Sequence, residues 1–390
     1  MKKIIPYGRQ FISREDIRYV SRSLKKDMIT SGNEVLKFEK EIQKYLKCRY
    51  STACSSGTSA LFLSLLSIGI KKNDIIIMPS INFVASYNIS KILGAKVYLA
   101  DVDKFSGQMS PENVIDVCKK FKLKKVKALI VMYNGGYPKN SEKFFKLKKK
   151  LNCFIIEDAC HALGAEYRFN RKMLKIGSCK HSDICTFSLH PLKTITTGEG
   201  GLITTNSKNI INKVQQLRNH GILRNLKGFH WKYDVIESGY NYRLSDINCI
   251  LGLSQLKKIN KFIKKRKSIY NYYKKEFKPF SNIISFPKYK NLSNSSFHLV
   301  VVQINFKKLK KKKDFFIKYL RSKGIIVQYH YIPLYKFKVA KSFPKKFKNA
   351  EKYYNNSISL PIYFNLNENN LKKIFKEIKS LINSKFSKLF

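Results

Sequence analysis

Between residues 74 and 205 the chain sets down a series of short apolar, β-rich runs. They are DIIIMPS (74–80), KVYLADVD (96–103), VKALIVMY (126–133), NCFIIEDA (152–159), DICTFSL (183–189) and GGLITT (200–205). Helix-like stretches lie between many of them. Strands that alternate with helices predict an α/β fold, a mostly parallel sheet covered by helices on both faces. Upstream, ALFLSLLSIGI (60–70) has helical periodicity and ends near Gly69, and Ser13 is placed to cap a helix over REDIRYVSRSL. No internal repeat is visible.

Near residue 245 the texture changes. DINCILGLSQLKKINKFIKKRKSIYNYYKKEF reads as one long amphipathic helix. A strand at HLVVVQINF (298–306), a helix at DFFIKYLRSKG (314–324), a strand at IIVQYHY (325–331) and a last helix from near Glu368 follow. The expected organisation is a large α/β domain over 1–245, with a lead-in over 1–30, and a smaller α+β domain over 246–390. The long helix would bridge the two.

Length and composition narrow the function classes. A chain of 390 residues, 44% hydrophobic and 13% aromatic, is globular and long enough for two cores. Its apolar runs fall short of the roughly 18 to 20 residues that span a bilayer. The start, MKKIIPYGRQFISREDIRYV, is basic but has no sustained apolar region and no small-residue cleavage site, so neither a signal peptide nor a membrane anchor is expected. The 8 Cys are scattered, mostly in apolar runs, as suits reduced thiols in a cytoplasmic protein. The net charge of +52 raises the question of nucleic acid. Yet the lysines are spread along the chain, and only KKLKKKKD (307–314) is dense, whereas a nucleic-acid surface concentrates its charge. Neither a nucleic-acid nor a membrane partner is therefore expected. A general positive field favours an anionic small substrate such as a nucleotide sugar.

Three stretches could carry chemistry. In STACSSGTSALFLSLL (51–66) a small-residue turn opens straight into a helix, whose free N–H groups and dipole suit a phosphate, with the Thr58 and Ser59 hydroxyls as further donors. It is not a P-loop, because no Gly-Lys-Ser/Thr follows. In IIEDACHALGA (155–165) Asp158 closes an apolar run, where ligands of open α/β sheets bind; a helix cap is the bland alternative. In FSLHPLKTITTGEGGLITTN (187–206) Lys193 follows an apolar run and, unusually for this chain, has no lysine beside it. A lysine that does chemistry must lose its proton, and its ordinary pKa is about 10.4. A phosphate turn, then an aspartate, then a lysine is the set that pyridoxal phosphate needs. The rival reading is a metal site at SCKHSDICTF, where Cys179, His181, Asp183 and Cys185 fall at alternate positions. Residues on one face of one strand cannot easily wrap a tetrahedral ion, and no metal is expected.

At these residues the sequence resembles the DegT/StrS sugar-nucleotide aminotransferases, which are fold type I pyridoxal-phosphate enzymes. The blocks run in the family's order through ITSGNEVLKFEKEI, SSGTSAL, PSINFVAS, ADVD, EDACHALGAEY, the Lys193 stretch, RNHG, GYNYRLSDINCILGLSQL and VQYHYIPLY. The resemblance implies that Lys193 holds the cofactor as a Schiff base and later moves the proton, and that Asp158 pairs with the ring nitrogen. It places Thr58, Ser59 and Ser188 at the phosphate, Phe83 over the ring and His161 at its edge. Asn241 would reach the phosphate of a neighbouring subunit, so the implied unit is a homodimer with shared sites. His298, Tyr329 and His330 lie in blocks that resemble substrate-side segments. The implied reaction takes an amino group from glutamate, by ping-pong kinetics, to C4 of a UDP-linked 4-keto-6-deoxy-N-acetylhexosamine of the kind used in pseudaminic acid biosynthesis. Another nucleotide-linked 3- or 4-ketosugar is the alternative, and a regulatory pyridoxal-phosphate protein or a basic nucleic-acid-binding protein stands further off. A few relatives carry histidine in place of the lysine and dehydrate instead; Lys193 favours transamination. The family's small-residue-Gly-Gln-Pro segment reads Gly135-Gly136-Tyr137-Pro138 here, and the lysine block at 307–313 has no counterpart.

Overall fold

The computed structural model describes residues 4–224, 229, 231–289, 292–340 and 347–384. Ser13 caps α1 (Arg14–Ser23) as expected, in a reciprocal capping box with Asp16. Next come α2 (Asn33–Leu46), β1 (Tyr50–Cys54) and α3 (Gly57–Ser67). The expected alternation follows as β2 (Ile75–Pro79), α4 (Val84–Ile92), β3 (Lys96–Ala100), α5 (Pro111–Lys120), β4 (Ala128–Met132), α6 (Ser141–Leu151) and β5 (Phe154–Asp158). A hairpin of β6 (Glu166–Phe169) and β7 (Lys172–Lys175) leads to β8 (Ile184–Ser188), β9 (Gly201–Thr205) and α7 (Lys208–Arg218).

Among the described residues these strands form a 7-stranded sheet in the order β1-β9-β8-β5-β4-β2-β3. Strands β3, β2, β4, β5 and β8 are parallel, while β9 runs antiparallel to both β8 and β1. The reversed β9 makes β1 run with β8, so the carboxyl ends of β1, β5 and β8 share one edge. The two-residue period of each strand divides its side chains between the faces. Leu129, Val131 and Ile155 join Phe38, Ile42 and Phe187 in one apolar core, whereas Ala128, Ile130 and Ile156 join Leu61, Leu65 and Met78 in the other.

A short hairpin, β10 (Ile222–Arg224) with β11 (Tyr233–Val235), precedes the C-terminal part. There the expected long helix is two helices, α8 (Asp246–Leu256) and α9 (Ile259–Glu276). The break has a physical cause. The Lys257 amide already reaches back to both Leu253 and Gln255, and Lys258 Nζ is held by Asp16, Ser13 and Ser254. So α8 stays against α1 and α2 while α9 departs for the smaller core. That core holds Tyr270, Tyr273 and Phe277 of α9 against β13 (Val300–Ile304) and α13 (Glu368–Asn383). It also takes in Ile5 of the lead-in. Strand β13 sits between β12 (Ile284–Ser285) and β14 (Ser357–Leu360), and α10 (Phe306–Leu309), α11 (Lys313–Ser322) and α12 (Lys348–Asn356) complete the described elements.

Two other expectations differ. IIVQYHY is not a strand: it touches other backbone through isolated bridges, Ile325 with Ile5 and Gln328 with Ser359, before it turns toward the sheet edge. β1 is a strand that the apolar runs do not predict, because Ser51 and Thr52 break its apolar pattern although its last four residues are buried.

The joint between α2 and α8 has a polar key. Gly32 brings no side chain to cap α2, and the Asp246 carboxylate accepts from Gly32 N (2.7 Å) and Glu34 N (2.9 Å) instead. Asp246→Ala is expected to cost about 1–3 kcal/mol, since it leaves buried amides unmet. Ser207→Ala, which removes an ordinary cap from α7, should cost about 1 kcal/mol. Urea midpoints of the two variants check the order.

Candidate active site

The shared strand edge opens into a pocket of about 300 Å³. Its first wall is the start of α3. Ser56 is the N-cap, and its Oγ accepts from Ser59 N at 3.0 Å. Ser56, Gly57 and Thr58 face the pocket, with Thr58 exposed into it. Two glycines permit this close seat. A Cβ on Gly57 would stand 2.8 Å from the Ser188 Cβ, and one on Gly201 would stand 2.1 Å from the Ser56 carbonyl oxygen. Free amides and the positive helix end make this wall an anion cradle.

Asp158, at the end of β5, forms the floor. It is buried; Ser86 Oγ (3.2 Å) and the Cys160 amide (3.3 Å) donate to it, the Cys160 thiol interacts with it too, and among the described residues no cation forms an ion pair with it. A buried carboxylate met by neutral donors alone calls for a positive partner in the pocket.

Lys193 hangs in the loop between β8 and β9. Thr196 Oγ1 donates to Leu189 O (2.9 Å), Thr197 Oγ1 to Glu199 O (2.6 Å), and Asn248 Nδ2 to Thr197 O (2.6 Å), so TITTGEGG is a fastened turn into the next strand. Burial lowers the Lys193 pKa; Cys160 and Asp158 oppose this, and Arg266 adds to it. An amine so depressed is a better nucleophile and base near neutral pH.

The opposite wall is imidazole and phenol. The Gly135 amide donates to His161 Nδ1 (3.3 Å), and His161 Nε2 lies 2.8 Å from Tyr331 Oη. An Nδ1 that accepts leaves the hydrogen of a neutral ring on Nε2, so Nε2–H donates to Tyr331 and the Tyr331 hydrogen is free for the pocket. Burial, then Lys193 and His330, hold His161 well below the usual histidine range. The His298 ring lies 4.2 Å from His161, and its Nδ1 has no partner among the described residues. His330 Nδ1 meets Ser359 Oγ at 2.9 Å, and burial followed by Lys193 pushes its pKa down to about 3. Phe83, the residue before α4, leaves 52% of its surface exposed and sets its ring 5.7 Å from that of Tyr331.

Lys193, Asp158, His161, Thr58, Phe83, Ser188, His298 and His330 thus all line one pocket. Of the other expected residues, Ser59 and Tyr329 stay out of its lining, and Asn241, expected at a neighbouring subunit's phosphate, lies on the surface. Ser59 spends its hydroxyl on Ser55 and Ser56 (2.9 Å each). Asn241 is exposed and bridges to Asn219. Tyr329 turns to Tyr354, with ring centroids 6.0 Å apart. Sequence reasoning missed Tyr7, Cys160, His190 and Tyr331. Tyr331 lay in a block already singled out, two residues from the tyrosine chosen; Tyr7 carried no local signal. The suspected metal residues are engaged otherwise: Cys179 with Thr204, His181 with Tyr167, Asp183 with Lys148 and the Ile155 amide. Only Cys185 of the four belongs to a strand of the sheet, and no metal-holding group of His, Cys, Asp and Glu occurs among the described residues.

The donor set fits pyridoxal phosphate. It offers an amine for an aldehyde, a buried carboxylate for a ring nitrogen, a helix start for a phosphate and an exposed aromatic face for a ring. Comparison with known proteins gives the same direction. The sequence profile of the DegT/DnrJ/EryC1/StrS aminotransferase family matches residues 10–379. The Campylobacter jejuni (strain 81-176) UDP-4-amino-4,6-dideoxy-N-acetyl-beta-L-altrosamine transaminase is 35% identical, over 97% of this chain and 98% of its own. The GDP-perosamine synthase of Escherichia coli O157:H7 is 36% identical over 70% of this chain and 71% of its own. Among solved structures, Helicobacter pylori PseC, an aminotransferase involved in the biosynthesis of pseudoaminic acid, superposes with a TM-score of 0.89 at 29% identity, covering 97% of this chain and 99% of its own.

The neutral histidines make stability depend on pH. Each folded pKa lies below the unfolded value near 6.5, so the unfolded chain takes protons first. The contribution is therefore present above about pH 6.5 and lost as pH falls below it. The urea midpoint is expected to drop between pH 7.5 and 5.5, and replacing His161 and His298 together by Asn should flatten that slope.

Proposed function

The chain belongs to the DegT/DnrJ/EryC1/StrS aminotransferase family, and on that premise we propose that it moves an amino group from glutamate to C4 of a UDP-linked 4-keto-6-deoxy-N-acetylhexosamine, a step of pseudaminic acid biosynthesis in the cytoplasm. The observation that carries the site is the pairing, in one pocket, of an amine with lowered pKa and a buried carboxylate that forms no ion pair among the described residues.

When bound, pyridoxal phosphate supplies an aldehyde to hold the amine and a ring to take up electrons from the carbon that loses its proton. The chain's own groups do the rest. Lys193 would hold the aldehyde and, as a free amine, would carry the proton. Asp158 would keep the proton on the ring nitrogen, which needs a negative charge that water cannot screen. Thr58, Ser56 and the α3 amides would hold the phosphate, with Ser188 alongside, and Phe83 would face the ring. His161 orients Tyr331 and leaves its hydrogen free for a ligand in the pocket. His298 and His330 line the substrate side as neutral rings and so add no charge to oppose protonation of the ring nitrogen.

A homodimer with shared sites is part of this reading. Phe229, Trp231, Tyr233 and Val235 are exposed, and the hairpin β10–β11 lies between the bridged residues Asn219 and Asn241, so apolar surface and Asn241 belong to one segment, as a subunit contact would need. Asn241→Ala should weaken cofactor retention while light scattering still reports a dimer.

The test is incubation with glutamate and a panel of UDP-, GDP- and dTDP-4-ketosugars, read by mass. Amination of the UDP-N-acetyl sugar is expected; turnover of a GDP-sugar alone would replace the proposed substrate, and cofactor binding without any turnover would point to a regulatory protein. Lys193→Ala should lower the rate by 10³-fold or more, on the order expected for an acid–base group also used covalently. Asp158→Asn should lower it about 100-fold with little change in melting temperature.

A further inference from the structure

Arg266, on α9, is 4% exposed. Its Nη1 donates to His298 O (3.1 Å) and Ile362 O (3.5 Å), and its Nη2 to Leu192 O (3.5 Å). Among the described residues no carboxylate forms an ion pair with it. Burying an unpaired charge is costly, and an apolar side chain of similar size would usually cost less at such a position. Burial lowers its pKa to about 10, so it remains charged at neutral pH. The same helix face has Phe262 and Ile269 for packing, so burial of apolar surface does not require a cation there. What the cation faces is the reactive loop. Leu192 is next to Lys193, and Arg266 and Lys193 line one small cavity of about 20 Å³.

We propose that Arg266 is a positioning residue for Lys193, a fixed positive charge on the helix α9 that ties the lysine's loop in place through the Leu192 carbonyl and stands beside the amine. The inference rests on the reading of Lys193 as the reactive amine. A like charge close by disfavours a protonated amine. Burial is the larger cause acting on Lys193, and Arg266 is the charged group that works in the same direction. Asp158 and Cys160 favour the protonated amine. His161, His190, His298 and His330 face it as rings whose pKa values are all lowered, first by burial. Arg9, in the small cavity, is the other cation, and Tyr7, Tyr331 and Glu199 complete the titratable lining of the pocket.

The experiment follows reductive methylation of Lys193 against pH in the full chain freed of cofactor, by peptide mass. The wild-type half-maximal pH is expected below that of an ordinary lysine. Arg266→Met should raise it on the order of one pH unit, which slows the reaction about tenfold at pH 7. Arg266→Lys, which keeps a cation there, should bring it back toward the wild-type value. A merely structural staple would lower the melting temperature of every variant and leave the Lys193 profile where it was, and that result overturns the proposal. So does a wild-type Lys193 that titrates like a surface lysine. If Arg266→Met does not fold, Arg266→Gln is the neutral variant. The substrate proposal fails separately, when no ketosugar is aminated although Lys193 keeps its low profile.

Discussion

Charge buried without an ion-pair partner is what the rest of this structure is arranged around. Asp158 and Arg266 are buried, each lines a cavity together with Lys193, and among the described residues neither forms an ion pair. Isolated, each would be too costly to keep. Together they define a place where a ligand with a protonated ring nitrogen, an aldehyde and a phosphate meets complementary groups. The neutral histidines fit the same logic, because further positive charge would undo it.

Topology makes the gathering possible. Because β9 returns antiparallel between β1 and β8, β1 ends on the same edge as the parallel strands β5 and β8. That edge receives the start of α3, the Asp158 floor and the Lys193 loop from segments far apart in sequence. The C-terminal part closes the pocket through His298, His330 and Tyr331, and Arg266 of α9 reaches the loop by way of the Leu192 carbonyl. The pocket thus depends on contacts between segments far apart in sequence.

Much of this was readable beforehand. The strands at 75–79, 96–100, 128–132, 154–158, 184–188 and 201–205 fell where apolar runs placed them, since strands in a covered sheet must be apolar. The pocket residues Thr58, Asp158 and Lys193 are readable because each carries a local sign: small residues before a helix, an acid after an apolar run, a lysine after another. The misses share a cause. Tyr329 and Tyr331 look alike in sequence, and only the turn after Gln328 decides which faces the pocket. The split of α8 from α9 depends on Lys258 reaching Asp16, a partner some 240 positions away.

The sequence by itself determined the α/β class, the family and the identity of Lys193, Asp158 and the α3 turn as a set, because periodicity and residue order are properties of neighbours along the chain. Tertiary structure alone decided that Asp158 forms no ion pair among the described residues, that His161 directs Tyr331, and that Arg266 stands behind the lysine. Those facts concern which charges share a low-dielectric space, and that depends on distances across the fold rather than along the chain.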